Sequence, residues 1–313
     1  MARQDTGCVP ATVAALVTRA SSLLVSALAP ATTSQYQRAW SRFEHFSRSV
    51  LNTEPFPATP SAVALFISHL VSPPNSVAPS TIATYISALA YVHKIQGSSD
   101  PTAHFIIKKI LKGASRASPS SDLSVPVTPP MLVLLIGAVT SIAASSYESC
   151  LIQAMFTTMF HGFLRIGEVT TSVHNIQRHQ VAIIQNSVSI TFLSYKHHLG
   201  QPFTLSIPSS SSTSVCPVVL LTRYLHLRRG NTGPLFCHIN MDPIQPAKFR
   251  ELLHMAVVRA NLASSHITPH SFRIGAATFA AAQGASSQQI QAMGRWKSSA
   301  YQKYIRVSSI SIP

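Results

Sequence analysis

The chain has 313 residues, with 24 Lys and Arg against nine Asp and Glu, a formal net charge of +15 and a pI near 10.2. This length is typical of two domains, and the shortage of acids favours a polyanionic partner, most commonly nucleic acid. The four cysteines lack paired short spacing, which argues against a disulfide scaffold or a zinc knuckle. No apolar run reaches the roughly 20 residues of a membrane span, so we expect a soluble protein that binds no membrane.

Residues 10–116 carry apolar side chains three and four positions apart, and this period indicates helices. Segments such as "TPSAVALFISHLV" and "APSTIATYISALAYVHKIQG" begin with Pro beside Ser or Thr, which is a helix-start signal. We therefore predict a small helical bundle. The Ser- and Pro-rich residues 117–127 are expected to form a linker, with the domain boundary near residue 122.

The second domain, residues 128–313, is predicted to be mostly helical with one small antiparallel sheet, so the fold class is mainly α. The segment "QVAIIQNSVSITFLSYKHHLGQPFTLSIP" alternates apolar and polar residues, which predicts a short meander with turns at Asn186-Ser187 and His198-Leu199-Gly200. Helices are expected around it. Their approximate ranges are 129–145, 147–163, 215–229, 246–261, 269–283, 286–293 and 297–306.

Four separated segments of the second domain carry side chains suited to phosphate chemistry. The first, "HGFLRIGEVT", has Arg165 and Glu168 at a helix start, and the second, "SYKHHLG", has Lys196 at a hairpin tip. The third, "TPHSFRIGAATF", has His270 and Arg273 on one helix face, and the fourth is the tail "GRWKSSAYQKYIR". Each alone has an ordinary structural interpretation, such as an i,i+3 ion pair, a solvated turn lysine or a packed ring.

Taken in chain order, the four segments resemble the tyrosine recombinase, or phage integrase, family. That family has Arg followed by Glu or Asp, a hairpin Lys, His-x-x-Arg, a His or Trp after a glycine, and a Tyr nine residues beyond that position. The resemblance implies a SAM-like core-binding domain over 10–116 and a catalytic domain over 128–313. The tail most resembles the recombinases of eukaryotic DIRS-type and Crypton mobile elements.

The resemblance implies an enzyme that cuts and rejoins DNA through a 3′-phosphotyrosine intermediate, with neither a metal nor a cofactor. Tyr304 is the expected nucleophile, and nearby cations would favour its phenolate. Arg165 and Arg273 would hold the phosphate oxygens, because guanidinium groups bind them bidentately and keep their protons. His270 is the candidate base and Lys196 the candidate acid for the leaving 5′-oxygen.

Two assignments stay open on the sequence alone. Counting back nine residues from Tyr304 gives Arg295, whereas the aromatic residue that the family pattern expects is Trp296, so either side chain could contact the phosphate. Tyr301 competes with Tyr304 for the nucleophile's role, since residues three apart on a helix share a surface. Glu168 is expected to orient a basic residue or a helix start.

Double-stranded DNA is the partner that the resemblance implies, bound by a homotetramer. A eukaryotic mobile element would place the protein in the nucleus, and any other source in the cytoplasm. Apart from the catalytic residues, the basic side chains expected to contact DNA are those of Arg38, Arg42, Lys108, Lys109, Lys112, Lys297 and Arg306.

Other functions also stay open. A catalytically inactive DNA-binding protein of the same fold would keep the positive charge, and the region around "TPHSFRIGAATF" also has the outline of a helix-turn-helix DNA reader. A metal-dependent nuclease needs clustered carboxylates to hold its ions. After residue 130 the acids are dispersed along the chain, at Glu148, Glu168, Asp242 and Glu251.

Overall fold

The computed structural model describes residues 12–118, 123–195, 201–263 and 265–306. The chain divides into two compact units, Met1–Asp122 and Leu123–Pro313. Within the described residues, no single helix is long and apolar enough to cross a membrane. Val13–Ser26 and Pro30–Leu51 meet the requirements of length and apolar composition only as a pair, which is bent by 87°.

The first unit is a helical bundle whose helices mostly start at a proline. A proline at the first helical position loses nothing, because its missing N–H would have no partner inside the helix. Thr59 caps one such start, where its hydroxyl accepts a hydrogen bond from the Ala62 N–H at 3.1 Å. Within residues 12–118 the α-helices are α1 (Val13–Ser26), α2 (Pro30–Phe46), α3 (Pro60–Val71), α4 (Pro79–Ile95) and α5 (Phe105–Ala117).

A buried histidine joins two parts of this bundle. The His93 Nδ1–H donates to the Leu89 carbonyl at 2.7 Å, and Nε2 accepts from the Ala58 N–H at 2.9 Å. The ring is fully buried beside Phe56, at 5.0 Å between ring centroids. Both ring nitrogens are therefore satisfied, which is the condition for burying a polar side chain at low cost.

The second unit is also mainly helical, and its core surrounds one long buried helix. That helix, α7 (Ser146–His161), is buried from Leu151 to Phe160, and its Phe156 packs against Phe249 and Phe272 at centroid distances of 5.8 and 5.2 Å. The α-helices are α6 (Pro129–Ile142), α7 (Ser146–His161), α8 (Ile166–Val169), α9 (Pro217–Leu227), α10 (Pro246–Arg259), α11 (Pro269–Ala282) and α12 (Ser287–Gly294).

Three strands form the predicted antiparallel sheet, in the order β1 (Val181–Ile184), β2 (Ser187–Phe192) and β3 (Phe203–Pro208). The first turn is one residue earlier than predicted. Its central residues are Gln185 and Asn186, with φ of 44° and 66°, the left-handed geometry of a two-residue hairpin turn. The other predicted turn, at 198–200, lies outside the described residues.

The tail is helical over a shorter range than the predicted 297–306. It forms a short 3₁₀ helix over Ser299–Tyr304. The Thr278 hydroxyl of α11 donates to the Tyr304 carbonyl at 3.1 Å and accepts from the Arg306 N–H at 3.0 Å. These two tertiary bonds hold the end of a segment too short to sustain an α-helix on its own.

Candidate active site

The first segment of the site begins where α7 ends. The Phe163 N–H donates to the Phe160 carbonyl at 3.3 Å, and the Leu164 N–H to the Met159 carbonyl at 3.0 Å, which is the Schellman pattern of a helix C-terminus. The left-handed residue of that pattern is usually glycine, but here it is Phe163, with φ of 51°. A side chain in this conformation costs about 1–2 kcal/mol, so the surroundings must stabilise it.

Arg165 and Glu168 form the expected pair at the start of α8. The Glu168 Oε2 accepts from the Arg165 backbone N–H at 2.9 Å, and its Oε1 accepts from the Arg165 Nη1 at 3.2 Å. The Glu168 side chain is only 2% exposed, whereas that of Arg165 is 23% exposed. The carboxylate therefore fixes Arg165 from inside and leaves part of its guanidinium accessible.

Arg295 makes a second, fully buried ion pair with the same carboxylate. Its Nη2 donates to the Glu168 Oε2 at 2.7 Å, and its guanidinium lies 4.1 Å from the ring centroid of Phe192 in β2. Arg295 itself is left-handed, with φ of 55°, directly after α12. Burial lowers the pKa of Arg295, and the Glu168 charge opposes that effect. A buried ion pair is tolerated when further hydrogen bonds satisfy it.

Arg273 projects from α11 into the interior and is 1% exposed. Its Nη1 donates to the Phe163 carbonyl and its Nη2 to the Gly294 carbonyl, while Nε has no partner among the described residues. The indole of Trp296 covers the guanidinium at 4.0 Å from the ring centroid. Burial lowers the pKa of Arg273, and the charges of Arg165 and Arg295 lower it further.

Gly294 is required by the position of that indole. A Cβ atom built on Gly294 would lie 1.7 Å from the Trp296 ring, so any side chain there would displace the indole. The sequence pattern of a glycine before the aromatic residue thus has a steric cause.

The tail brings Tyr304 against three of the predicted side chains. Its ring centroid lies 4.8 Å from that of His270 and 4.8 Å from that of Trp296, and 5.5 Å from the Arg273 guanidinium carbon. Tyr304 is partly exposed, whereas Tyr301 is 7% exposed and belongs to an apolar cluster. Of the two tyrosines, Tyr304 is therefore the one beside the basic side chains and within reach of solvent.

Of the other predicted residues, Lys196 lies outside the described residues. In the tail, Lys297 is exposed, and the Arg306 Nη1 donates to the Lys303 carbonyl at 2.6 Å. The predicted DNA-contacting bases of the first unit lie on α2 and α5, and they are Arg38, Arg42, Lys108, Lys109 and Lys112.

Two residues of the site were not predicted from the sequence. They are Phe163, whose carbonyl accepts a hydrogen bond from Arg273, and Phe192, whose ring stacks on Arg295. A phenylalanine directly after a helix-ending glycine was the available signal for the first. No local pattern marks the second, because its partner is more than a hundred residues away. Within the described residues, no group of three or more His, Cys, Asp or Glu is placed to hold a metal ion.

The profile of the phage integrase family matches residues 136–309, more than half of the chain, so the chain belongs to the phage integrase family. No curated protein sequence matches the chain significantly. The described fold is that of the tyrosine recombinases, mostly helical with a three-stranded antiparallel sheet.

Three solved structures illustrate the likeness of fold. A lambda integrase tetramer bound to a Holliday junction is 14% identical, with a TM-score of 0.62 over 96% of this chain and 80% of that one. XerH recombinase in a post-cleavage complex with difH is 14% identical, with a TM-score of 0.62 over 87% and 74%. The Tn1549 transposon integrase with circular intermediate DNA is 15% identical, with a TM-score of 0.55 over 81% and 83%.

Proposed function

We propose that this protein is a site-specific recombinase or integrase that cuts and rejoins DNA through a 3′-phosphotyrosine at Tyr304. One observation carries the proposal. Side chains from separate segments, His270 and Arg273 of α11 and Trp296 of the tail, surround the ring of Tyr304. Arg165 belongs to the same network, because Glu168 binds both Arg165 and Arg295.

The reaction follows from these groups. The Tyr304 oxygen attacks the phosphorus, its proton passes to His270, and the bond from phosphorus to the 5′-oxygen breaks. That oxygen takes a proton, which we assign to Lys196. Rejoining is the reverse reaction with a new 5′-hydroxyl, and it needs no ATP because the phosphotyrosine conserves the ester bond. Fixed guanidinium groups stabilise the charge of the transition state without reorganising.

Arg165 and Arg273 have different parts in this proposal. Arg165 is partly exposed and offers the approaching phosphate its first contact. Arg273 lies beneath the Trp296 indole, so the indole must move aside or let the phosphate reach the guanidinium edge. The Arg295 guanidinium is buried against Glu168. We therefore assign the role of the family's His or Trp to Trp296 and a supporting role to Arg295.

The domain roles follow the same proposal, with a core-binding domain at 10–116, a linker at 117–127 and a catalytic domain at 128–313. In residues 12–118, the acids Glu44 and Glu54 lie 3.8 and 3.9 Å from Arg48, and Asp100 lies 3.0 Å from Lys94. The Lys and Arg residues of α2 and α5 have no ion pair within that range. We propose that they bind the phosphates of double-stranded DNA, with an affinity that falls as salt rises.

We extend the proposal to the assembly and the origin of the protein. Lambda integrase forms a tetramer on a Holliday junction, and we propose a homotetramer on DNA here. The tail "GRWKSSAYQKYIR" supports a recombinase of a eukaryotic DIRS-type or Crypton element, acting in the nucleus. The fold likeness to a transposon integrase is consistent with a mobile element.

Covalent trapping tests the chemistry. The full chain is incubated in EDTA with a pool of nicked duplexes of random sequence, so that the short strand beyond the nick diffuses away after cleavage. We expect a protein–DNA adduct that survives denaturing gel electrophoresis, is absent in Tyr304→Phe and persists in the matched control Tyr301→Phe. An adduct that survives Tyr304→Phe would refute this nucleophile, and DNA binding without any adduct would indicate the catalytically inactive DNA-binding protein.

A further inference from the structure

Two helix ends at the candidate site depart from a rule that other helix ends of this protein obey. The Schellman pair of hydrogen bonds ends α4, α10 and α11, and the left-handed residue there is Gly97, Asn261 and Gly284, respectively. Glycine and asparagine are the residues that tolerate this conformation. The same pair of bonds ends α7 and α12, but there the left-handed residues are Phe163 and Arg295.

The two exceptions contact each other and Arg273. The Phe163 carbonyl accepts from the Arg273 Nη1 and from the Arg295 Nη2, the latter at 3.4 Å. The Arg295 Nη1 also lies 3.4 Å from the Gly162 carbonyl. The end of α7 therefore presents its carbonyls to two buried guanidinium groups, which is possible because Phe163 turns the chain away from the helix axis.

Side chains in the left-handed region are strained, and such strain persists where the surroundings over-determine the conformation. The Phe163 ring supplies part of that constraint, since it is 2% exposed and meets Trp296 edge to face at a centroid distance of 6.3 Å. The other part comes from the two guanidinium groups on its carbonyl. One residue thus binds Arg273 through its backbone carbonyl and contacts Trp296 through its ring.

We propose that Phe163 is a positioning residue for DNA cleavage, because its left-handed backbone places the carbonyl that holds Arg273 in register with Tyr304. This inference rests on the proposed function, since it assigns Arg273 to the phosphate. Phe163 would act through its main-chain carbonyl, which holds Arg273, and not as a ligand of the phosphate.

Substitution separates this role from simple packing, because the two roles predict opposite orders. Glycine and asparagine adopt the left-handed conformation but lose the ring, whereas valine and leucine remain apolar but resist that conformation. If the backbone matters, Phe163→Gly and Phe163→Asn remain active, and Phe163→Val and Phe163→Leu do not. If only packing matters, the order is reversed.

Single-turnover adduct formation at saturating DNA is the first readout, measured below the melting temperature of every variant. We expect Phe163→Gly and Phe163→Asn to keep most of the rate, and Phe163→Val and Phe163→Leu to fall about 100-fold with DNA affinity unchanged, since small misplacements cost that much. If Phe163→Gly and Phe163→Val do not fold, the comparison of Phe163→Asn with Phe163→Leu still separates the two roles. Active valine and leucine variants beside inactive glycine and asparagine variants would overturn the inference.

Asn261→Val is the matched control, because Asn261 occupies the same position of the same motif at the end of α10. We expect it to lower the melting temperature and to leave the cleavage rate unchanged. A rate loss in Asn261→Val equal to that in Phe163→Val would show that any strained helix end impairs the enzyme, and would overturn the specific role of Phe163.

Fluorescence gives a second readout that needs no cleavage. The chain has two tryptophans, so Trp40→Phe leaves Trp296 as the reporter beside Arg273. Both Phe163→Gly and Phe163→Val lose the ring beside Trp296. In that background we expect Phe163→Val to shift the emission further to longer wavelength than Phe163→Gly does, because only valine also disfavours the left-handed backbone that holds Arg273. If the parent forms no adduct but this order holds, the proposed function fails and the positioning geometry stands. Identical emission in both variants would contradict the geometry itself.

Discussion

At the scale of single residues, Glu168 organises the candidate site. Its two oxygens accept hydrogen bonds from the Arg165 backbone, the Arg165 guanidinium and the Arg295 guanidinium. Both Glu168 and Arg295 are almost completely buried. Their attraction is offset by the cost of removing two charges from water, so the pair matters most when one partner is missing.

Glu168→Gln tests this dependence. In the parent chain the substitution should lower the free energy of unfolding by about 3 kcal/mol, because it leaves a buried cation without its counter-charge. In an Arg295→Met background the same change should cost about 1 kcal/mol, since only the hydrogen bonds to Arg165 are altered. Urea unfolding of the four proteins in this double-mutant cycle measures both values. Equal costs in the two backgrounds would show that the pair is not coupled.

At the scale of elements, the position of α11 depends on one glycine. The chain before α6 runs along this helix, where the Val125 N–H donates to the His266 carbonyl and the Val127 N–H to the Ser271 carbonyl, both at 3.0 Å. A Cβ atom on Gly275 would lie 1.9 Å from the Val127 carbonyl oxygen. The last residues of the predicted linker therefore pack against the helix that carries Arg273.

Gly275→Ala should lower the free energy of unfolding by about 1–3 kcal/mol, because the methyl group forces the two backbones apart. Gly137→Ala is the matched control. Gly137 lies within α6 with open space around its would-be Cβ, so alanine there should raise stability by about 0.5–1 kcal/mol. Urea midpoints of the two variants should move in opposite directions. A Gly275→Ala protein as stable as the parent would contradict the close approach.

At the scale of the whole molecule, the charge balance affects the pH dependence of stability. The net charge of +15 counts the 14 histidines as neutral, so acid adds further positive charge to a chain with nine acidic residues. In the second unit, His161 resists protonation in the folded protein. Burial lowers the pKa of His161 to about 4, despite a hydrogen bond to the Val215 carbonyl.

The second unit should consequently lose stability as the pH falls from 6.5 to 4. In that window the unfolded chain binds a proton at His161 and the folded chain does not, so acid favours unfolding by up to about 3 kcal/mol. Urea unfolding at pH 7 and pH 4.5 measures the loss, which should be smaller in His161→Leu. His254→Leu, at an exposed histidine of α10, is the control and should retain the parent's full loss. An equal acid effect in the parent and in His161→Leu would exclude this group as the cause.

Local signals were sufficient for most of the fold. Prolines beside Ser or Thr, apolar periods and strand alternation placed most helices and the three-stranded sheet. The sequence was less informative where long-range contacts compete with local preference. The hairpin turn is one residue earlier than predicted because Gln185 and Asn186 both adopt positive φ, and the tail is a 3₁₀ helix because Thr278 holds its end.

By itself, the sequence determined the family and the identity of the basic side chains, because these depend on residue types at spacings that are readable along the chain. Only the tertiary structure decided which of Arg295 and Trp296 is buried against Glu168 and which covers Arg273. The two residues are adjacent in sequence, but Arg295 has a left-handed backbone conformation. As a result the Arg295 side chain pairs with the buried Glu168 carboxylate, and the Trp296 indole lies over Arg273. That choice depends on burial and on partners more than a hundred residues away, which no local pattern encodes.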